Sequence, residues 1–425
     1  MNKLDDNAFA KEEINSLPIG WEHTTIGNVA NVSTGFAFKS KNYSDSGKLR
    51  VVRGENVSLK KLRWDKVKYW NHSTSGLENY ILDAYDIVIG MDGSRIGKNK
   101  SSIYPSELPL ILAQRVARVK SKDGISQSFL KYSILNDIFE NYIIKVQTGT
   151  SIPHISLGQI RAFEINIPKD LMEQNAIAKL LNSFDDKIEL LQAQNKTLES
   201  LSQTLFKNWF GKYQVDDELP EGWKIKTIEE LVEIIIDYRG KTPKKLGMDW
   251  SVSGIPALSA KTIKKGKIVR RDAMNFGSQA LYDIWMKDEL QKGDILLTSE
   301  APLGEMYYIN DDKKYILSQR LFALRVNNEI TSQYLYHYLF SRYGQHLLQA
   351  RASGSTVEGI RQSELRKIEV VVPDEVALNK ASVLFQDIFD KKHNNSKQIQ
   401  SLKKTRDELL PKLMSGKIRI KEFVK

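Results

Sequence analysis

The chain has no cysteine among its 425 residues, which excludes disulfides and thiolate metal sites. No apolar run approaches the roughly 18 residues that a membrane-spanning helix needs. Residues 1–16 are polar and acidic and lack the apolar segment of a signal peptide. The six histidines show no ligand spacing. These absences predict a cytoplasmic protein without a metal site.

Motifs of several enzyme classes are also missing. The sequence has no Pro-Pro, which the Asn/Asp-Pro-Pro-aromatic motif of adenine methyltransferases requires, and no Gly-x-Gly pair. A phosphate-binding loop requires Gly, four residues and then Gly-Lys-Ser/Thr. The nearest match, Gly93–Asn99, has one residue too few between its glycines and ends in Asn. Asp65–Lys68 and Asp311–Lys314 combine acids with lysines, but their polar surroundings favour solvated turns over a nuclease site. We therefore expect a protein without catalytic residues and without a cofactor of its own.

What the chain does have is an internal duplication. Leu17–Trp21 returns as Leu219–Trp223. Four further pairs of segments follow in the same order: Tyr85–Val88 with Gly293–Leu296, Ala113–Val116 with Ser318–Leu321, Thr148–Ile152 with Ser353–Val357, and Ile165–Pro168 with Val370–Pro373. The period is far longer than that of a solenoid repeat. It predicts a duplicated domain-plus-helix module with two similar surfaces, which suits a split target or two identical partners.

The predicted fold class is α+β, with two mixed α/β domains separated by two long helices that form an antiparallel coiled coil. Strands are predicted over residues 29–32, 49–52, 86–89 and 163–167, and one helix over 127–145 with a copy near 332–348. The predicted boundaries are a polar N-terminal arm at 1–16, a first domain at 17–167, a first helix at 168–214, a second domain at 215–372 and a second helix at 373–425.

The long helices carry apolar residues at alternating steps of three and four, the pattern of a coiled-coil seam. The first seam consists of Ile177, Leu181, Phe184, Ile188, Leu191, Asn195, Leu198, Ser202, Leu205 and Trp209. The second consists of Ala381, Phe385, Ile388, Lys392, Asn395, Ile399, Leu402, Arg406, Leu409 and Leu413. The sustained period favours pairing of the two helices, with the polar members fixing the register. The alternative is that each helix packs only on its own domain.

The net charge of +11 is spread along the chain. Counting Lys and Arg against Asp and Glu gives +7 over residues 17–167, +4 over 219–372 and +5 over 373–425. This distribution is typical of a protein that binds a polyanion through contacts along its length. Simple colloidal solubility explains the charge equally well.

The duplicated Leu-Pro-x-Gly-Trp opening, the Asp-Ile strand, the Gln-Arg step, the Gly-Thr/Ser turn and the strand that leads into a seam helix resemble specificity subunits of type I restriction-modification systems. The resemblance covers residues 17–425. It implies two target-recognition domains, each binding one half of a bipartite DNA site. It further implies that the paired helices hold two methyltransferase subunits and that motor-nuclease subunits join them. S-adenosylmethionine, ATP and Mg would then be bound by those partner subunits.

Matching positions supply candidate site residues. Arg suits guanine or phosphate recognition, and small-residue turns offer free backbone N–H groups to phosphates. The candidate DNA-binding residues are Arg95, Lys98, Gln114, Arg115, Thr150, Ser151, His154, Arg239, Lys241, Gln319, Arg320, Ser355, Thr356 and Arg361. Each group has a plain structural interpretation as well: an Arg paired with a carboxylate at a strand edge, an ordinary turn, or a solvated basic face.

The candidate residues for helix pairing and subunit docking are Phe184, Ile188, Leu191, Leu198, Leu205, Phe385, Ile388, Ile399, Leu402 and Leu409. Three other functions remain open at this point. The chain could be the recognition subunit of another multi-subunit restriction enzyme, or an adaptor whose coiled coil does the binding while its basic domains only keep it soluble. A self-contained nuclease or methyltransferase is disfavoured by the missing motifs.

Overall fold

The computed structural model describes residues 17–59, 61–149, 151–354 and 357–420. The chain divides into two compact units. The first unit consists of Met1–Ile188 together with Gln400–Lys425, and the second consists of Glu189–Ile399. The first unit is therefore assembled from two separate stretches of sequence, whereas the second is continuous.

The first unit is built from short strands with helices at its borders. Its strands are β1 Trp21–Thr25, β2 Ala30–Thr34, β3 Leu49–Val52, β4 Val57–Ser58, β5 Lys61–Leu62, β6 Tyr69–Trp70, β7 Ile81–Leu82, β8 Ile87–Gly90, β9 Lys100–Ser102, β10 Leu110–Leu112, β11 Val116–Ser121 and β12 Glu164–Pro168. Its helices are α1 Ile26–Val29, α2 Gln127–Ile134, α3 Asp137–Val146 and α4 Leu157–Arg161, followed by the start of α5 Leu171–Trp209.

The second unit repeats this plan. Its helices are α6 Ile228–Leu231, α7 Gln279–Trp285, α8 Ser332–Phe340, α9 Arg342–Ala350, α10 Gln362–Arg366 and the start of α11 Glu375–Met414. Its strands are β13 Lys224–Thr227, β14 Val232–Asp237, β15 Ile255–Leu258, β16 Ile263–Lys264, β17 Lys267–Ile268, β18 Phe276–Gly277, β19 Ile295–Thr298, β20 Met306–Tyr308, β21 Ile316–Leu317, β22 Leu321–Val326 and β23 Glu369–Val372.

The sheets correspond between the units. The order β2-β11-β8-β9 in the first unit returns as β14-β22-β19-β20 in the second, with every neighbouring pair antiparallel. The two-stranded sheet β1-β12 returns as β13-β23. A parallel pair recurs as well, β3 with β10 and β15 with β21. The duplication seen in the sequence is thus a duplication of topology.

The predicted single helix over 127–145 is wrong, because the chain forms two helices there. The first ends at Ile134, and Asn136 is the N-cap of the second, where its side-chain Oδ1 accepts a hydrogen bond from the backbone N–H of Phe139 at 2.9 Å. In the copy, Ser341 separates α8 from α9 and accepts from the N–H of Gly344 at 3.1 Å. Asn and Ser cap helices well because their side-chain oxygens replace a missing backbone acceptor, so they begin a new helix within an apolar periodic segment.

The predicted strand over 29–32 begins later than expected. Val29 closes the one-turn helix α1, and the strand runs from Ala30 to Thr34. The predicted strands at 49–52, 86–89 and 163–167 correspond to β3, β8 and β12. In each of these three strands, an alternation of apolar and polar residues or a continuous apolar run coincides with burial of the apolar side chains.

The recurring Gly-Trp opening has a structural cause. Gly20 and Gly222 adopt φ of 86° and 82°, the left-handed conformation that favours glycine. Each turn directs an indole toward the start of a long helix: Trp21 Nε1 donates to Glu173 at 3.4 Å, and Trp223 Nε1 donates to Asp374 at 3.1 Å. The motif therefore fixes the first strand of each unit to its long helix.

Candidate nucleic-acid interface

The Gln-Arg step has the same unusual backbone in both units. Arg115 and Arg320, each directly before a central strand, have φ of 71° and 63°. A non-glycine residue in this conformation costs on the order of 1 kcal/mol and often marks a functional site. The carbonyl of Arg115 accepts from the N–H of Met91 at 3.0 Å, and that of Arg320 accepts from Ser299 at 2.9 Å. The strained residue is thereby held against the strand exit beside it.

Each of these arginines contacts a carboxylate on that strand exit. Arg115 Nη1 lies 3.4 Å from Asp92, and Arg320 Nε lies 3.0 Å from Glu300. The arginine side chains remain 63% and 49% exposed. An ion pair this exposed contributes at most about 1 kcal/mol, so it orients the guanidinium without blocking it. The interpretation of the Gln-Arg step as an arginine paired with a carboxylate is therefore confirmed, and the arginine is still accessible. Its contact with DNA stays a prediction.

A glycine-containing turn completes the arrangement. Thr148 and His154 exchange backbone hydrogen bonds at 2.9 and 2.8 Å, and Ser353 and Gly359 do so at 2.9 and 3.0 Å. Gly149, between the first pair, has φ of 94°, and a Cβ there would lie 2.5 Å from the Ile152 carbonyl oxygen. Only glycine fits this position, which explains why the turn recurs with Gly354 in the second unit.

These turns reach the same two acidic residues, one through its side chain and the other through its backbone. His154 Nδ1 contacts the Asp92 carboxylate, and Gly359 forms a backbone bridge with Glu300. We name this arrangement the Gln-Arg junction. In the first unit it comprises Met91–Asp92, Gln114–Arg115, Thr148–Gly149 and His154, and in the second Ser299–Glu300, Gln319–Arg320, Ser353–Gly354 and Gly359. The structure brings together Gln114, Arg115 and His154 in one unit and Gln319 and Arg320 in the other.

Other candidates lie around the junctions. Ser151 and Arg361 are exposed, and Arg361 precedes α10 as its N-cap residue. Thr150, Ser355 and Thr356 lie outside the described residues. Arg95 is exposed on the loop after β8, and Lys98 on the same loop lies 3.3 Å from Glu140.

One lysine at the end of that loop is not exposed. Lys100 belongs to β9 and is buried, where its ammonium donates to the Gly97 carbonyl at 2.7 Å. Its ammonium lies 3.8 Å from the Glu140 carboxylate and 5.6 Å from the Phe139 ring centroid. The basic loop of the first unit therefore presents Arg95 and Lys98 only, since Lys100 serves the core.

The basic side chains of Arg239 and Lys241 in the second unit are held by specific contacts and do not form a freely solvated basic face. Arg239 forms two hydrogen bonds with Asp237, at 2.9 and 2.7 Å, and its guanidinium lies 4.1 Å from the Phe322 ring centroid. Lys241 Nζ donates to the Trp285 carbonyl at 3.0 Å and lies 4.1 Å from the Tyr238 ring. Partial burial lowers the pKa of Lys241, and the nearby positive charge of Lys287 lowers it further.

The seam residues lie where the helix pattern predicted. Ile188 and Leu191 on α5 and Phe385 and Ile388 on α11 are buried. The remaining docking candidates are partly buried: Phe184, Leu198, Leu205, Ile399, Leu402 and Leu409. The pairing of the helices is confirmed by contacts between their side chains. The start of each helix also joins the core of its own unit.

In the first unit the two helices run antiparallel. Glu173, at the start of α5, accepts from Arg419 at 2.5 and 2.8 Å, whereas Asp185, three turns later, accepts from Arg406 at 2.6 Å. Residue numbers thus rise along α5 as they fall along α11 and the segment that follows it, which contains Arg419. Tyr132 from α2 also donates to Asp185 at 2.7 Å. Burial raises the pKa of this tyrosine, and the adjacent carboxylate raises it further.

The second unit has its own polar contacts across the same seam. Asn395 Nδ2 donates to Asn195 Oδ1 at 3.0 Å, and Lys392 forms an ion pair with Glu199. Both pairs are largely shielded from water. The seam positions Asn195, Asn395 and Lys392 were expected to set the register, but Glu199, the acidic partner of Lys392, lies off the seam. A buried polar residue specifies one register because any other leaves it without its partner.

Comparison with known proteins decides the family. The family described as "Type I restriction modification DNA specificity domain" matches residues 18–200 and again residues 220–404. The chain belongs to this family. Its two matched regions account for most of its length, and this makes it a specificity subunit of the type I restriction-modification class.

Relatives of this specificity subunit agree with that assignment. The type I restriction enzyme MjaIX specificity subunit of Methanocaldococcus jannaschii is 28% identical over 328 residues, with 74% of each chain covered. The MjaVIII specificity subunit of the same organism is 26% identical, with 81% of each covered. A crystal structure of the type I S subunit from M. genitalium has a TM-score of 0.62 at 17% identity, covering 94% of this chain and 97% of that one. The last likeness concerns the fold alone.

Sequence reasoning missed the two carboxylates of the Gln-Arg junctions in this specificity subunit. Asp92 and Glu300 occupy the same place after β8 and β19, so an acid at matching positions in an otherwise divergent loop was the available signal. Within the described part of the chain, no group of three or more His, Asp or Glu could hold a metal ion. A search of the same residues finds no helix long and apolar enough to cross a membrane.

Proposed function

We propose that this chain recognises a bipartite DNA site, with each unit binding one half through its Gln-Arg junction, and that it performs no catalysis itself. The observation that carries the proposal is the recurrence of one strained, exposed arginine with the same three-segment support in both units. Keeping a costly backbone conformation twice is accounted for if the arginine must point outward from a rigid base. Arg is also the side chain best suited to guanine edges and phosphates.

Membership of the type I specificity-subunit family suggests which partner subunits this chain binds. The paired helices would dock two methyltransferase subunits, and motor-nuclease subunits would complete the complex. S-adenosylmethionine, ATP and Mg would be bound by those subunits, and adenine methylation and ATP-dependent cleavage would occur there. The cell compartment implied by these partners is the cytoplasm.

The test is to express the chain with the methyltransferase encoded beside its gene and to map methylated adenines across a host genome. We expect one split sequence, with a fixed number of unspecified base pairs between two defined halves. A coiled-coil adaptor without DNA specificity would give no methylated motif and would have no methyltransferase gene as neighbour. A motif that is continuous rather than split would contradict the assignment of one half to each unit.

A further inference from the structure

A cavity of about 420 Å³ opens beside the Gln-Arg junction of the second unit. Four parts of the unit form its wall: the loop from Lys241 to Trp250, the strand ends at Ser259–Lys261 and Asn275, Ala301 in the loop after β19, and the Ser318–Arg320 segment. The strained Arg320 is thus part of the cavity and not only of the junction. The cavity is formed by loops that leave the core sheets, where a binding site can vary without disturbing the fold.

The charge of the cavity favours an anionic ligand. Four cations line it, Lys241, Lys244, Lys261 and Arg320, against one carboxylate in the wall, that of Asp249. Glu300 offsets the charge of Arg320, so the three lysines leave the cavity with an excess of positive charge. Lys244 and Lys261 are exposed. Lys241 is fixed by its hydrogen bond to the Trp285 carbonyl. Such a set of lysines around a concave surface is what phosphate groups of a nucleic acid backbone require.

The cavity also offers two carboxamides that can distinguish bases. The backbone carbonyl of Gln319 accepts from Ala260 at 3.3 Å, and that of Asn275 accepts from Ala257 at 2.9 Å, so both main chains are fixed. Both side chains are exposed, and neither carboxamide has a hydrogen-bond partner among the residues that the structure describes. A carboxamide presents a donor beside an acceptor, which matches the N6 and N7 edge of adenine in the major groove.

One aromatic residue makes the wall rigid. Trp250 is half-buried, and its ring centroid lies 5.7 Å from that of the buried Trp285. Trp285 Nε1 in turn donates to the Leu317 carbonyl at 3.0 Å, immediately before the Ser318–Arg320 segment. The cavity wall and the Gln-Arg junction are therefore tied to the same buried side chain, which preorganises both.

We propose that this cavity is the base-recognising site of the second unit, in which Gln319 and Asn275 contact base edges while Lys244 and Lys261 hold the flanking phosphates. The proposal rests on the proposed function, since it assumes that the second unit binds one half of a DNA site. It adds which side chains determine the sequence of that half. It also separates residues that select a base from residues that only supply affinity.

The experiment uses the full chain assembled with its methyltransferase and a library of random-sequence duplex DNA, from which bound or methylated sequences are selected. Gln319→Ala and Asn275→Ala should each reduce discrimination at one or two base pairs by about 5- to 100-fold, all within one half of the site. Lys244→Ala and Lys261→Ala should weaken binding uniformly across sequences and lower the salt dependence by about one ion each.

The chain offers two matched controls. Gln114→Ala removes the corresponding carboxamide of the first unit and should alter only the other half of the site. Asn328→Ala removes an exposed carboxamide of the second unit that is not in the cavity wall and should change nothing. All these side chains are exposed, so thermal unfolding should match the parent chain.

The outcomes separate the two proposals. An unchanged base preference in both Gln319→Ala and Asn275→Ala, with binding intact, overturns the role of the cavity and leaves the proposed function standing. Loss of preference in the same half of the site for Gln114→Ala and Gln319→Ala overturns it as well. If the parent chain in its complex selects no sequence at all, the proposed function itself is wrong.

Discussion

Single residues carry the strongest functional signal in this chain, and they do so through backbone conformation as much as through charge. Arg115 and Arg320 hold a conformation that glycine would adopt without strain, yet both positions have arginine. Tyr85 and Gly293 are another such pair, with φ of 69° and 99°. In the second unit this position is glycine, so it requires only a residue that adopts the turn conformation and no particular side chain. At the Gln-Arg step both units keep the side chain.

Replacing Arg115 or Arg320 by Ala should each weaken specific DNA binding by about 1–3 kcal/mol in the assembled complex. The guanidinium is exposed and oriented by a carboxylate, so its loss removes a contact to DNA rather than a support of the fold. Titration with duplex DNA at fixed salt measures the effect. Arg366→Ala is the matched control, because Arg366 also forms an ion pair, 2.7 Å from Glu229, but lies outside the junction. Equal binding by all three variants would remove both arginines from the interface.

His337 should make the second unit sensitive to acid. It is buried with its ring 4.0 Å from Phe385, and this burial lowers its pKa to about 4 from the ordinary 6.5. The folded state therefore binds the proton less well than the unfolded state. Its contribution to stability is complete above about pH 6.5 and is lost as the pH falls toward 4, by about 3 kcal/mol in all.

Urea unfolding of the parent chain and of His337→Phe, at a series of pH values from about 7.5 down to about 4.5, measures this loss. The phenylalanine variant keeps the aromatic packing but cannot take up the proton, so its unfolding free energy should decline less over that range. Parallel pH profiles for the two proteins would show that His337 does not cause the acid sensitivity.

At the scale of elements, α5 and α11 derive their specificity from a few polar contacts in an otherwise apolar seam. Asn195 with Asn395 and Lys392 with Glu199 are satisfied in only one register of the second unit. In the first unit Asp185 with Arg406 has the same role. Net stability comes from the apolar members, and the polar ones exclude other alignments.

Placing a charge in this seam should separate or unfold the helices. Leu191→Asp and Leu198→Asp would bury a carboxylate without a partner, which costs several kcal/mol. We expect the methyltransferase to dissociate from the complex, or the chain to unfold, as measured by size-exclusion chromatography and thermal melting. Leu190→Asp is the control, because this neighbouring leucine is 51% exposed. A complex of intact stoichiometry and stability in the seam variants would contradict the paired-helix interpretation.

Much of the fold, but less of the site, follows from the sequence. The seam of α5 and the duplication are periodic signals, and Gln114-Arg115 with Gln319-Arg320 stands out because it occurs twice. Asn136 and Ser341 misled the helix prediction, since an apolar pattern does not reveal that a cap within it starts a second helix. Asn275 could not be found, because only tertiary folding brings it near Gln319, which is 44 positions away in the chain.

At the scale of the whole molecule, the first unit depends on residues far from its own segment. Leu413 is fully buried in its core together with Trp21 and Leu181, and a side chain at Gly416 would collide with Trp21. Leu413→Asp should therefore destabilise the first unit by several kcal/mol and leave the second intact. Hydrogen exchange should rise in β2, β8 and β11 but not in β14, β19 and β22. Lys412→Asp changes the exposed neighbour and should alter hydrogen exchange in neither group of strands. An equal rise of hydrogen exchange in both groups in Leu413→Asp would contradict the division into two units.

The split composition of the first unit has a consequence for how the protein is made. A ribosome emits residues 17–188 first, yet the core they belong to lacks Leu413 and the Gly416 turn until more than two hundred further residues have been added. The continuous unit, 189–399, has all its parts earlier and can close while synthesis goes on. The half begun first is thus the half finished last, and a nascent chain that stalls late leaves that half open to proteases.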